Sequence, residues 1–77
     1  MILEIISPEK KLFSGEAGSV TVPGSNGLFQ VLNNHAPIIS TLKKGTVKVE
    51  TAEGEKSFEI NGGVVEVLNN KVIVLAG

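Results

Sequence analysis

A chain of 77 residues lies within the length of one domain, and a domain this small buries only about 60% of the surface that its unfolded form exposes, so modest stability is expected. Hydrophobic residues at 42% and charged residues at 19% argue for a folded globule, while seven basic against eight acidic residues leave a net charge of −1 and no electrostatic grip on nucleic acid. No cysteine is present and only one histidine, which excludes disulfides and thiolate catalysis and argues against a metal centre or any other cofactor.

Ile2 to Ile6 is β-branched and apolar apart from Glu4, and it ends at Ser7-Pro8, where Pro8 cannot donate to a ladder. A polar turn at Glu9 to Lys11 leads to Leu12 and Phe13, which point to opposite faces before Ser14-Gly15 interrupts the run. From Glu16 to Val22 the β pattern resumes with Val20 and Val22 on one face, and Pro23-Gly24 is expected to stop it. Asn26-Gly27 then signals a tight reversal, because both residues tolerate positive φ. Leu28 to Leu32 predicts a short strand with Phe29 and Val31 on one face; Leu28 itself is equally compatible with core and with an exposed anchor. A second polar turn at Asn33-Asn34-His35 precedes Ala36-Pro37 and the apolar run from Ile38, and Lys43-Lys44-Gly45 closes this stretch.

The second half alternates more cleanly. Thr46 to Thr51 places Val47 and Val49 inward, Ala52 to Glu55 is a hairpin loop, and Lys56 to Ile60 returns antiparallel with Phe58 and Ile60 in the core. After Asn61-Gly62-Gly63, a hairpin across Asn69-Asn70 joins Val64–Leu68 to Lys71–Leu75, and the last strand is so apolar that both its faces are expected to be covered. Nothing reads as a helix. The pattern predicts an all-β fold, a flattened β-sandwich or barrel of about eight to ten short, mostly antiparallel strands in two sheets, spanning residues 1–77 as a single domain. The longest apolar run, Val72 to Ala76, is far short of the roughly 20 residues that a spanning helix needs, so no direct membrane insertion is expected.

Residues that could do chemistry are few. His35 has no assignable serine, cysteine or carboxylate partner, so a loop histidine bound to nearby backbone outweighs an acid–base role. Gly24, Gly27, Gly62 and Gly63 fit no phosphate-binding pattern and read as turn glycines. Lys43 and Lys44 read as a solvated turn.

The opening LEIISPEKKLFSGEAGSVTVPGSNG, the block NHAPIISTLKKGTVKV and the closing FEINGGVVEVLNNKVIVLA resemble, in order and spacing, the N-terminal domain of the epsilon subunit of the rotary F-type ATP synthase. The resemblance covers nearly the whole chain. It implies a flattened β-sandwich at the foot of the central stalk, a non-catalytic subunit of a proton- or sodium-translocating synthase that couples the gamma subunit to the membrane rotor ring. The implied location is peripheral, at the cytoplasmic face of the bacterial plasma membrane. Carried over by position, it implies a rotor-ring contact at Ser25, Asn26, Gly27, Leu28 and Gln30, and a gamma contact at Ser7, Asn34, His35, Ala36 and Pro37. Two departures matter. The family often has carboxylates in the turn after Gly24, where this chain has Asn26, Leu28 and Gln30; and it continues into a C-terminal helical hairpin, whereas this sequence stops at Gly77. Coupling is therefore expected without a self-inhibitory, ATP-sensing arm. Within the complex the subunit is expected as a monomer, with self-association possible when isolated. The alternative is a carrier domain for covalent biotin or lipoate, which presents a lysine at a hairpin tip; neither Leu42-Lys43-Lys44-Gly45 nor Asn70-Lys71-Val72 supplies the usual acceptor context.

Overall fold

Val20 and Val22, Val47 and Val49, Val65 and Val67, and Val72 and Val74 are each two residues apart, and all eight are buried. Successive side chains on a strand point to opposite faces, so each pair marks the inner face of one strand. The computed structural model describes residues 1–77 and holds nine strands: β1 (Ile2–Ile6), β2 (Lys11–Glu16), β3 (Ser19–Gly24), β4 (Gly27–Leu32), β5 (Ile38–Leu42), β6 (Gly45–Thr51), β7 (Gly54–Ile60), β8 (Gly63–Leu68) and β9 (Lys71–Ala76).

The strands form two layers. One has the order β2-β1-β9-β8-β5 and the other β4-β3-β6-β7, and the hydrogen-bonded path passes between them through a single pairing, Gly24 with Leu42. All pairings are antiparallel except that of β1 with β9, where the first and last strands run side by side. Leu3 and Ile5 from β1 join the valines in one core that also takes Leu42 and Ile60. At the opposite rim, edge strands β2 and β7 meet through side chains: Phe13 and Phe58 lie edge to face with ring centroids 5.8 Å apart, and the Lys56 ammonium stands 5.9 Å from the Phe13 ring. Phe58 is thus packed against the core at its open seam and half-buried, not enclosed within it as the alternation implies.

Several boundaries differ from the sequence expectation, each for a physical reason. Ser14-Gly15 lies inside β2, where Gly15 is extended, and the chain turns instead at Ala17-Gly18. Gly54 and Glu55 belong to β7, so the β6–β7 connection is only Ala52-Glu53. Pro23-Gly24 does not end β3. Pro23 pairs with Leu28 of β4 on one side, and on the other β6 pairs only with Ser19 to Thr21 before the ladder is disrupted. Between the Thr21–Lys48 and Gly24–Leu42 pairings β3 advances three residues and the β5–β6 chain six, so residues around Lys43-Lys44 bulge outward as that chain crosses from one layer to the other. A proline is tolerated at such a bulge because no ladder donor is required of it. Its carbonyl accepts from the Lys43 N–H at 2.9 Å, and the Ser25 N–H donates to the Thr41 carbonyl at 3.0 Å, pinning the crossing from both sides.

The β8–β9 hairpin is built as its sequence indicates. Asn69 and Asn70 both take positive φ, 53° and 60°, the signature of a two-residue turn whose twist matches the flanking strands.

Two substitutions test this architecture. Ile5→Ala removes a fully buried side chain and should cost about 2–5 kcal/mol in denaturant unfolding, a large fraction of what a domain of this size possesses. Gly63→Ala should be at least as damaging, because φ is 141° there and a Cβ would meet the Leu75 carbonyl oxygen at 2.0 Å. An unchanged denaturation midpoint in either variant would contradict the packing described.

Candidate partner interfaces

The inner-facing valines fix what the other face of each strand presents. On β8 the outward residues are Val64, Glu66 and Leu68; on β9 they are Lys71, Ile73 and Leu75; on β1, Ile2, Glu4 and Ile6; on β5, Ile39 and Thr41. The registers bring them together. Leu75 lies between Ile6 and Val64, Ile73 between Glu4 and Glu66, and Ile39 opposite Glu66. The outer face of this layer is consequently apolar, with Ile39 73% and Leu75 52% exposed, and is interrupted by Glu66 and Lys71. The expectation that both faces of β9 are covered is corrected here: within the chain only the valine face is.

The opposite outer face has a different composition. Thr46, Lys48 and Glu50 of β6 stand beside Glu59, Ser57 and Glu55 of β7, a polar surface of the kind a wet sheet presents. Both layers alternate equally well on the inside, so the asymmetry is a property of the surface and not of the core.

The loop between β4 and β5 borders the apolar face. The Asn34 N–H donates to Asn70 Oδ1 at 2.8 Å, with Asn34 itself at φ 63°, and the Asn33 Oδ1 accepts from the Met1 ammonium at 2.6 Å. These bonds lay the loop across the end of the β1-β9-β8-β5 layer. His35 Nδ1 is 2.8 Å from the Ala36 carbonyl oxygen and its N–H donates to the Leu32 carbonyl, so this side chain is engaged by its own loop. Ala36 and Pro37 are exposed, and Pro37 lines a groove with Ile38, Ile39, Glu66 and Leu68.

Ser7 does not join this group. Its hydroxyl donates to the Lys10 carbonyl and accepts from the Lys10 N–H, closing a local turn. It follows Ile6, which is level with Leu75, whereas the strand after Pro37 begins at Ile38, level with Val67 and Val72. The two positions are separated along the strands by about four residues, or about 13 Å, and lie on different strands of the layer.

The residues assigned by resemblance to the ring occupy the other end. Ser25 and Asn26 are the exposed tip of the β3–β4 hairpin, with Ser25 Oγ 2.7 Å from Thr41 Oγ1. Only Gly27 takes positive φ, 131°, and Asn26 does not, so the reversal is centred one residue earlier than Asn26-Gly27 suggests. Leu28 is 72% exposed, which resolves its two alternatives in favour of the surface. Gln30 is also exposed but sits in mid-strand opposite Thr21, away from the tip. The carrier reading fares poorly: Lys71 is the first residue of β9 and not a turn tip, and Lys43 and Lys44 stand on the bulge where the chain changes layers.

A small sandwich with one polar and one apolar outer face, short pinned turns and a histidine committed to its own loop is a docking module. The chain belongs to the family described as ATP synthase, Delta/Epsilon chain, beta-sandwich domain, whose model matches residues 1–77. It is 50% identical over 74 residues to the ATP synthase epsilon chain of Chlorobaculum tepidum, covering 95% of this chain and 84% of that one. It is 47% identical over 74 residues to the ATP synthase epsilon chain of Chlorobium limicola, with the same coverage. Its fold superimposes with a TM-score of 0.91 on a chain of the Euglena gracilis mitochondrial ATP synthase, at 23% identity over 99% of this chain and 49% of that one, a likeness of fold.

The apolar face is what sequence inspection missed, although a signal was there. Ile2 and Ile6, Val64 and Leu68, and Ile73 and Leu75 occupy the parity that a solvent-facing strand would fill with polar residues. As a check on the hairpin, Leu28→Glu should shift stability by no more than about 0.5 kcal/mol, since the side chain is already largely in water. A large loss of stability in chemical denaturation would place Leu28 in the core instead.

Proposed function

We propose that this chain is a non-catalytic subunit of the central stalk of a proton- or sodium-translocating F-type ATP synthase, holding the gamma subunit to the membrane rotor ring. The supporting observation is the apolar outer face of the β1-β9-β8-β5 layer. Contiguous exposed apolar surface on a sheet face indicates a protein partner, and residues such as Glu66 and Lys71 among the aliphatic groups resemble the polar elements of an interface that must remain soluble when free. Gamma is assigned to this face, together with Asn34, His35, Ala36 and Pro37 of the adjoining loop. The rotor ring is assigned to the other end, at Ser25, Asn26, Gly27 and Leu28, with Gln30 further along the same strand and Ser7 falling outside the gamma contact. The peripheral position at the cytoplasmic face of a bacterial plasma membrane follows from that assignment.

Such a subunit transmits load, and load requires that its ends keep a fixed relation. A two-layer sandwich with two-residue turns at Ser25-Asn26, Ala52-Glu53 and Asn69-Asn70, and with its layers joined by a continuous chain, meets this requirement without a moving part. No step of ATP chemistry is assigned to any of its residues. The chain is an accessory subunit of the complex that carries out the reaction.

The full chain binding purified gamma subunit tests the assignment. Leu68→Glu combined with Leu75→Glu should leave the β-sheet circular dichroism intact, because both side chains are about half exposed, yet weaken gamma binding by at least about 100-fold, as expected when two apolar anchors become charges in a desolvated contact. Gamma binding retained by the folded double variant would remove this face from the interface.

A further inference from the structure

Every basic side chain in the sequence is a lysine, and there are seven. Lys11 pairs with Glu4 at 3.5 Å and Lys56 with Glu53 at 3.8 Å. Lys43, Lys44 and Lys48 make no ion pair, and all three line one groove together with Pro23, Leu28 and Thr46. No carboxylate lines it. The nearest in register, Glu59, lies opposite Thr46 on β7 and accepts the Thr46 hydroxyl proton. A chain with a net charge of −1 therefore carries a local concentration of unneutralised positive charge beside its most exposed leucine but for none of its other hairpins.

The fold produces this juxtaposition directly. The extra residues between the Gly24–Leu42 and Thr21–Lys48 pairings push Lys43 and Lys44 out of the ladder, and Lys48 projects from the next part of the same chain. Across β3, Pro23 pairs with Leu28, so the apolar wall comes from the neighbouring strand. We propose that this groove seats an acidic loop of a partner protein, its carboxylates reaching Lys43 and Lys44 and an apolar side chain packing on Leu28 and Pro23. The inference rests on the rotor-ring assignment and gives it a chemistry: the ring loop that meets this end is acidic with an apolar member. Where the related turn often carries carboxylates, this chain has Asn26, Leu28 and Gln30, so a basic loop would find no partner charge here. Complementary charge at the rim of a contact governs encounter rate and salt dependence, while the apolar anchor governs dissociation. A bare anion would use the lysines and leave Leu28 unemployed. The concave, mixed lining favours a protruding loop over a planar layer of headgroups.

The experiment uses the full chain in complex with gamma, and detergent-purified rotor ring from the same source, at low and at elevated salt. Lys43→Glu with Lys44→Glu should weaken ring association at least about tenfold at low salt and flatten its salt dependence, and Lys43→Arg with Lys44→Arg should restore both. Gamma binding should be unchanged in either double variant, and that readout separates the two proposals: failure of the wild-type chain to bind gamma removes the stalk assignment itself. Ring association that is absent in the wild type, independent of salt, or undiminished in the Glu variant overturns the acidic-loop proposal. Vesicles of phosphatidylcholine with phosphatidylglycerol form the last arm. Lysine-dependent binding to these vesicles, with ring binding insensitive to the Glu variant, assigns the groove to lipid headgroups and likewise overturns the proposal.

Discussion

The layer crossing between Leu42 and Gly45 is the constraint on which the rest of the molecule depends. Two sheets packed face to face share a core only if some segment leaves one and enters the other, and here that segment passes beside Pro23, held by the Lys43 N–H to Pro23 carbonyl and Ser25 N–H to Thr41 carbonyl bonds. The crossing fixes which edges remain open. It leaves β4 as the outer strand of one layer and β5 as that of the other, and it obliges β2 and β7 to close the far rim with Phe13 and Phe58 in place of a ladder. The same disruption expels Lys43 and Lys44 next to Leu28. A structural necessity of the sandwich thereby generates one of its surfaces.

Sequence periodicity recovered the strands where a single rule operated. Val47 and Val49, or Val65 and Val67, alternate with polar or exposed residues and are buried as alternation requires, and Asn69-Asn70 forms the turn its residue types favour. It failed where two rules competed. Pro23 reads as a stop because proline cannot donate, but a bulged ladder asks no donor of it, and β3 continues to Gly24. Ser14-Gly15 reads as punctuation because glycine is common in turns, yet at φ 159° Gly15 is ordinary extended backbone opposite Leu3. Both errors apply a local preference at a position where pairing with a distant strand decides the outcome.

The candidate interfaces divide in the same way. Ser25, Asn26 and Leu28 are legible because a hairpin tip and its flank are local features, and Asn34 to Pro37 likewise form a continuous loop. Ser7 was grouped with that loop by family resemblance alone, and only the β1–β9 and β5–β8 registers reveal that it lies towards the opposite end. The apolar face was overlooked for the complementary reason. Its members come from four strands scattered through the sequence, and an apolar residue on β9 looks identical whether a second layer or another protein will cover it. The rule that an apolar strand is covered on both faces concerns the assembled state, and the isolated chain supplies only one cover.

The two proposed contacts also differ in kind, and the difference suits a subunit that must hold one partner while meeting another. Aliphatic surface such as Ile39 and Leu75 gives an association whose strength resides in slow dissociation and depends little on ionic strength. Lysines on a bulge give fast, oriented encounter and a salt-sensitive grip that a single exposed leucine reinforces. Placing the first on a broad sheet face and the second at a hairpin end lets each be altered without disturbing the other, since the buried valines between them belong to neither. The core thereby acts as a spacer of fixed geometry: force applied at the lysine end reaches the aliphatic face through hydrogen-bonded strands and the close-packed interior, with no flexible linker in which to dissipate.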